Sequence, residues 1–440
     1  MTIPVGRKAA FTGAHVAGQL FRDTPSMLLL FYLTSVVGMS PALAGMAVFI
    51  PKAILGSISD LLVGVGSDRM ASRFPRRNWL LVGAIAAPVA FGAIFAVPQA
   101  TPLLQAAYVI ASMTLYMIVF SAISVPYLAQ YSEVSDNAAE RSDLMAWRHG
   151  WIGIGLLAGS SFAPWLIHHL GAGRSAYITT GLVLSAIAGV ALCSGYFASR
   201  HMPIRRAAST AANALRWRVL ADVFAERRFN LLLGVFATHQ IAAGMTNATI
   251  VFFLTYNMKL EAAIAQLGVL VLLAGLAVIA ASPMWIYLSR RFGNRRCYQG
   301  AVVAQALLMA AWASCDATTP VWHTYLISVG IGLANSGWGI MLLAFFSDVL
   351  ADRNTEGKEL GGAMSAVWTL AEKFGLALGG ALLAGGILSL FGFAAHRATS
   401  GSALAGIALT FGFLPAALHL LASGVLWRFV VLPSDSPRPA

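Results

Sequence analysis

Apolar runs long enough to cross a bilayer recur along this chain, at roughly 14 to 38, 43 to 66, 79 to 98, 103 to 130, 146 to 169, 175 to 198, 229 to 256, 263 to 289, 297 to 315, 321 to 347, 362 to 391 and 402 to 432. About 20 helical residues span the ~30 Å of hydrocarbon, and a segment inside it must satisfy its own backbone. Such runs can do so only as helices. The expectation is an all-α membrane protein with twelve transmembrane helices. Composition agrees, because 58% of the residues are hydrophobic and 10% charged, whereas a soluble chain approaches about a quarter charged.

The basic residues give the orientation. Arg69, Arg73, Arg76 and Arg77 follow the second run, Arg200 to Arg228 the sixth, and Arg290, Arg291, Arg295 and Arg296 the eighth. The alternate loops hold little beyond Arg174, Lys259 and Arg397. By the positive-inside rule both termini are cytoplasmic, in a multi-pass protein of the cytoplasmic (inner) membrane. The net charge of +12 then reflects topology and contact with anionic lipid, and nucleic acid is not an expected partner. "MTIPVGRKAAFTGAH" has no small-residue cleavage site, so the first run is expected to be retained. Cys193, Cys297 and Cys315 are odd in number, lack metal-ligand spacing and read as core residues.

The longest polar connection separates six runs from six, giving bundles at 1–198 and 229–440 joined by a cytoplasmic loop at 199–228. In that loop Leu215, Val219 and Phe224 alternate with arginines, as in a short amphipathic helix on a membrane surface. Each half carries a basic loop after its second run ("SDRMASRFPRR", "SRRFGNRR") and an acidic segment after its fourth ("YSEVSDNAAERSD", "FSDVLADRNTEGKE"). Paired halves of this kind favour an alternating-access carrier with its site near the midplane.

Charges inside the apolar runs point to that site, since each costs about 2.5 to 3.5 kcal/mol near the bilayer centre. Lys52 is expected to snorkel to an interface on its long stem. Asp23, Asp60 and Lys373 are expected to face a cavity, with Arg148 donating from another helix. Asp23 would accept from hydroxyls or an amine, while Arg148 and Lys373 would donate to a hydroxyl-rich or anionic solute. Asp60 suits a coupling cation instead. Gly56 lies one turn before it, and Ser124 precedes "VPY" in the fourth run. A sodium site calls for several oxygens, so a lone Asp60 favours protons.

Four stretches, "FRDTPSMLLLFYLTSVVGMSPALAG", "DLLVGVGSDRMASRFPRRNW", "SVPYLAQYSEVSDNAAERSDLMAWR" and "FFSDVLADRNTEGKELGGAMSAVWTLAEKFGLALG", occur in that order. Together they resemble the glycoside-pentoside-hexuronide:cation symporters, the melibiose permease group of the major facilitator superfamily. The resemblance implies that Asp23 and Arg148 bind sugar, and that Asp60 is the cation-site aspartate with Thr369 and Lys373 beside it. It also implies that Glu133, Asp136, Glu140 and Arg141 help close the cytoplasmic side, with Arg69 and Asp348 of the matching loops in the same gate. Two family acids are missing, their positions falling on Gly56 and Ser124.

Trp368 is a stacking candidate close to Lys373, while His239, Gln240, Thr246 and Asn247 give the seventh run a polar stripe suited to substrate or to interhelical bonding. The glycines of "GLALGGALLAGG" are expected where helices pack closely. There is no GxxxxGK[ST] loop, metal motif or nucleophile elbow, so neither an enzyme nor a bound cofactor is expected. The reading is a monomeric, proton-coupled symporter of a sugar, glycoside or hexuronide-like solute. An exporter or lysolipid carrier on the same fold, and a membrane sensor that does not transport, remain alternatives.

Overall fold

The computed structural model describes residues 3–134, 138–200, 202, 217–355, 361–394 and 399–429, and these contain helices and no strand. The chain divides into two compact units, 1–209 with 262–269 and 394–398, and 210–261 with 270–393 and 399–440. The first holds α1 (Val5–Thr12), α2 (His15–Phe31), α3 (Pro41–Phe49), α4 (Gly56–Met70), α5 (Asn78–Phe95), α6 (Pro102–Val134), α7 (Ala138–Leu157), α8 (Ala163–His169) and α9 (Arg174–Ser199). The remainder of the chain forms α10 (Trp217–Ala225), α11 (Arg227–Phe252), α12 (Ala263–Phe292), α13 (Asn294–Ala313), α14 (Val321–Thr355), α15 (Gly361–Ala377), α16 (Ala384–Leu390), α17 (Gly401–Ala408) and α18 (Leu414–Phe429).

Nine stretches among the described residues are long and apolar enough to cross a membrane. The expected spans at 14–38, 229–256 and 297–315 are helical too, but they are not among those nine. Large apolar side chains point outward along the helices, Ile85 at 77%, Leu103 at 78% and Ile279 at 68% exposure, as a lipid-facing surface requires.

Among the described residues six π-helical segments interrupt the long helices, at Tyr32–Val36, Ile50–Leu55, Ala158–Phe162, Phe253–Asn257, Leu378–Leu383 and Leu409–Phe413. Four of them expose an internal repeat. Phe31-Tyr32-Leu33-Thr34 and Phe252-Phe253-Leu254-Thr255 both run into a π segment whose exit has the same wiring, Val37 N–H to Tyr32 O and Met39 N–H to Leu33 O in one copy, Met258 N–H to Phe253 O and Leu260 N–H to Leu254 O in the other. α8 and α16 each follow a π segment and end on a left-handed glycine, Gly171 (φ 88°) and Gly392 (φ 75°), the C-terminal cap that only glycine adopts without strain. Tyr32 and Phe253, like Ile167 and Leu388, stand the same 221 positions apart.

Packing follows the repeat. α2 packs on α7 in one unit as α11 packs on α15 in the other, and α5 packs on α9 as α13 packs on α18. A glycine seats both of the first pair: a Cβ on Gly155 would come within 2.7 Å of Gln19 Cβ, and one on Gly375 within 2.8 Å of Gln240 Cβ. Lipid supplies no hydrophobic drive between helices, so such close backbone approach and its dispersion contacts hold the bundles. Buried rings fill the rest, including Phe21 with Phe91 and Tyr116 (centroids 4.7 and 4.6 Å away), and Tyr32 with Tyr177 at 4.7 Å. The central connection does contain a short helix, α10, which packs on α11 and α15 with Val223 fully buried; Leu215 lies outside the described residues.

Candidate functional site

Asp23 lies on the buried face of α2 at 8% exposure. One turn earlier Gln19 donates from Nε2 to Asp23 Oδ2 at 2.7 Å, and the half-exposed Arg22 places Nε 3.4 Å from Oδ1. Lys52 completes this group. Its Nζ donates to Ser26 Oγ at 2.7 Å, and Ser26 in turn donates to the Arg22 carbonyl, also at 2.7 Å. The expected snorkelling of Lys52 is therefore overturned. The residue sits in the π segment Ile50–Leu55, and its stem is directed across to α2, where both Lys52 and Arg22 act electrostatically on Asp23. Among the described residues the group thus joins one carboxylate to two basic side chains.

Arg148 belongs to a different neighbourhood. Its Nη1 has only the weak acceptor Met145 Sδ at 3.7 Å, and its buried Nε has no hydrogen-bond partner among the described residues. Its charge acts on His15, Tyr127 and Tyr131. The His15 ring lies 4.7 Å from Tyr127 and 5.6 Å from Tyr131, its buried Nε2 likewise lacks a partner among the described residues, and Tyr127 donates to the Phe11 carbonyl at 2.6 Å. His15 is two turns before Asp23 on the same helix, so about 12 Å separates their backbones along its axis. The sequence reading grouped Asp23 with Arg148; the structure gives the two different partners on the packed pair α2 and α7.

Asp60 accepts from Ser121 Oγ on α6 at 2.7 Å. The hydroxyl beside Asp60 is therefore Ser121, one turn before Ser124, whose own buried Oγ has no partner among the described residues. The missing second acid has a steric counterpart: a Cβ at Gly56 would lie 2.7 Å from Met117 Cε, so the thioether fills the space an acid would use. No group of three or more metal-type ligands occurs among the described residues.

Trp368, Thr369 and Lys373 lie on α15 in the other unit. Trp368 is sandwiched between Phe236 at 4.0 Å and Phe346 at 4.4 Å, both stacked, so its two faces are already covered by the chain's own rings. Thr369 is exposed and donates to Ser365 O at 3.1 Å; Lys373 is half-buried.

Among the gate residues, Arg69 is exposed, and the ion pair within its loop joins Asp68 to Arg76 instead. Asp348 is half-buried on α14. The side chains of Glu133 and Arg141, and the whole of Asp136, lie outside the described residues. Glu140 accepts from the Ile3 backbone N–H at 2.6 Å and Asp143 pairs with the buried Lys8 at 2.9 Å, so the acidic segment ties down the start of the chain. A groove of about 570 Å³ runs along one face of α7, lined by Asp143, Trp147, Gly150, Trp151 and Ile154, and touches none of the expected substrate residues.

Comparison with known proteins assigns this architecture. The family model for MFS/sugar transport proteins matches residues 11–431. The uncharacterized symporter YnaJ of Bacillus subtilis (strain 168) is 26% identical over 96% of this chain and 90% of its own length, and the isoprimeverose transporter of Lactiplantibacillus pentosus is 23% identical over 94% and 86%. The crystal structure of the nucleoside transporter NupG superimposes with a TM-score of 0.66 at 13% identity, covering 97% of this chain and all of the other, which shows the fold. With the melibiose-permease-like motifs and the repeat of α2/α7 in α11/α15 on the same chain, this places the protein in the MFS/sugar transport family, as a multi-pass secondary active transporter of the major facilitator superfamily and not an enzyme.

Proposed function

We propose that this transporter is a proton-coupled symporter of a sugar, glycoside or hexuronide-like solute in the inner membrane, with both termini cytoplasmic. The observation that carries the coupling is Asp60, a carboxylate within an apolar run, bonded by the Ser121 hydroxyl and with Met117 filling the space at Gly56. A carboxylate within an apolar run can exchange a proton, and where a sodium site would call on a second acid one turn earlier this chain has Gly56. The solute class rests on the Asp23 group, where a carboxylate accepts from hydroxyls and Arg22 and Lys52 donate. The relatives include an isoprimeverose transporter, which agrees with this class.

In the cycle, Asp60 takes a proton from outside, the solute binds at the Asp23 group with Arg148 as a further donor, and the loaded carrier opens inward. Each proton entering with the membrane potential contributes about 2.3 kcal/mol per 100 mV. A thermal-shift screen of the purified protein against glycosides, pentosides, hexuronides and lysolipids, with and without sodium, tests the solute. A sugar-dependent rise in melting temperature, indifferent to sodium and lost in Arg148→Ala, supports the reading. A rise with lysolipids alone, or one that requires sodium, contradicts it.

A further inference from the structure

The second unit buries a cluster that this coupling scheme does not use. His239, the middle of α11, places Nδ1 2.5 Å from Nδ1 of His419 on α18, and Nε2 2.6 Å from the Tyr298 hydroxyl on α13. Trp338 on α14 lies parallel to the His239 ring, 4.5 Å between centroids at 14°. His239 and Tyr298 are 0% exposed, His419 2% and Trp338 8%. Four helices therefore meet on two imidazoles, a phenol and an indole.

Hydrogen-bond stoichiometry sets what this cluster can hold. A neutral imidazole has one N–H and one lone pair, and only one proton fits between two facing Nδ1 atoms. With both rings neutral and His239 donating from Nδ1 to His419, its Nε2 accepts the Tyr298 proton. One further proton on Nε2 makes His239 a donor at both nitrogens, to His419 Nδ1 and to the Tyr298 oxygen, which turns from donor to acceptor. Every bond survives. A charge on both rings would set N–H against N–H across the 2.5 Å contact, so the pair takes one extra proton and not two. The resulting imidazolium lies against the Trp338 face, an arrangement that favours a cation.

Other titratable groups lie on the surrounding elements, Arg227 and Arg228 at the start of α11 and His323 and Tyr325 near the start of α14 among them. Cys297 adjoins Tyr298 on α13, and Arg295 and Arg296 lie one turn before it, Arg295 being held by the Leu426 and Trp427 carbonyls and stacked over the Trp427 ring. On α15, Glu372 and Lys373 stand three and two positions before Gly375, which packs against Gln240. Asp348 lies on α14 and Arg428 ends α18.

We propose that His239, His419 and Tyr298 form a second proton-binding site, a one-proton store in the C-terminal bundle that is loaded and emptied during transport. Proton binding stands on the geometry alone; its place in the cycle rests on the proton-coupled reading above. The test is nuclear magnetic resonance of ring-15N-histidine protein in detergent between about pH 5 and 8, with assignment by His239→Gln and His419→Gln. The two signals should move with one shared midpoint and account for one proton. Tyr298→Phe, which keeps the ring and removes the acceptor, should make the charged form at least tenfold harder to reach. Two folded-state rings that stay neutral throughout, or that each take a proton independently, would overturn the site. In proteoliposomes His419→Gln, shown folded by its thermal unfolding, should shift the pH profile of uptake; an unchanged profile would remove the cluster from the cycle. Asp60→Asn should leave the histidine titration intact, and if that variant still accumulates solute, the Asp60 reading fails while this site stands.

Discussion

Lys52 shows how a local irregularity decides where a charge goes. In a regular helix its stem could follow the lipid face, yet the π segment at Ile50–Leu55 directs it across to Ser26 and the Asp23 group. Removing that cation should weaken solute binding: Lys52→Met is expected to raise the Kd by about tenfold or more, and Gln19→Ala, which removes a donor to a buried carboxylate worth about 1.5 to 3 kcal/mol, by a similar factor. Titration calorimetry with the solute found in the screen checks both, and an unchanged Kd in Lys52→Met would take Lys52 out of the site. Asp23 and Asp60 stand out in the sequence because a carboxylate in an apolar run is costly. The direction of Lys52 was not legible there, since apolar periodicity does not reveal a π turn. Ser121 was missed in favour of Ser124 for a related reason: both lie on the same helix one turn apart, and only the register of α4 against α6 selects between them. His419 and Tyr298 carried no signal, because no spacing rule links positions on separate helices.

The helices themselves were written plainly in the apolar runs, and the glycines of "GLALGGALLAGG" were read as packing sites. The structure gives the reason at Gly379, where a Cβ would lie 2.0 Å from the Ile241 carbonyl oxygen, closer than any repacking of side chains could relieve. Gly379→Val should therefore force α11 away from the π segment and lower stability by more than about 3 kcal/mol, the upper end of what overpacking typically costs. Gly275→Val, with nothing within 4 Å of its Cβ, should change the melting temperature little. Thermal unfolding of the two variants in one detergent separates them; equal stability would refute the close crossing. The repeat that pairs this crossing with α2 and α7 was visible only as matching loops. Its sharper trace, Phe31 to Thr34 against Phe252 to Thr255, is four residues long and gains meaning from the shared π segment and exit bonds.

At the scale of the whole molecule, the family model over residues 11–431 and the NupG superposition agree with the two-bundle fold read from loops and charges. The arginine-rich loops after the second, sixth and eighth runs predict the orientation: a reporter active only in the cytoplasm should be active when fused after residue 200 and at the C-terminus, and inactive when fused near Lys259. The reverse pattern would invert the proton route. Coupling is the central claim, and one measurement meets it most directly. Purified protein in lightly buffered proteoliposomes, given inward solute without sodium, should take up protons with the solute and make the external medium alkaline, and Asp60→Asn should abolish that alkalinisation. Solute entry with no proton movement in the wild type, or alkalinisation undiminished in Asp60→Asn, would contradict it.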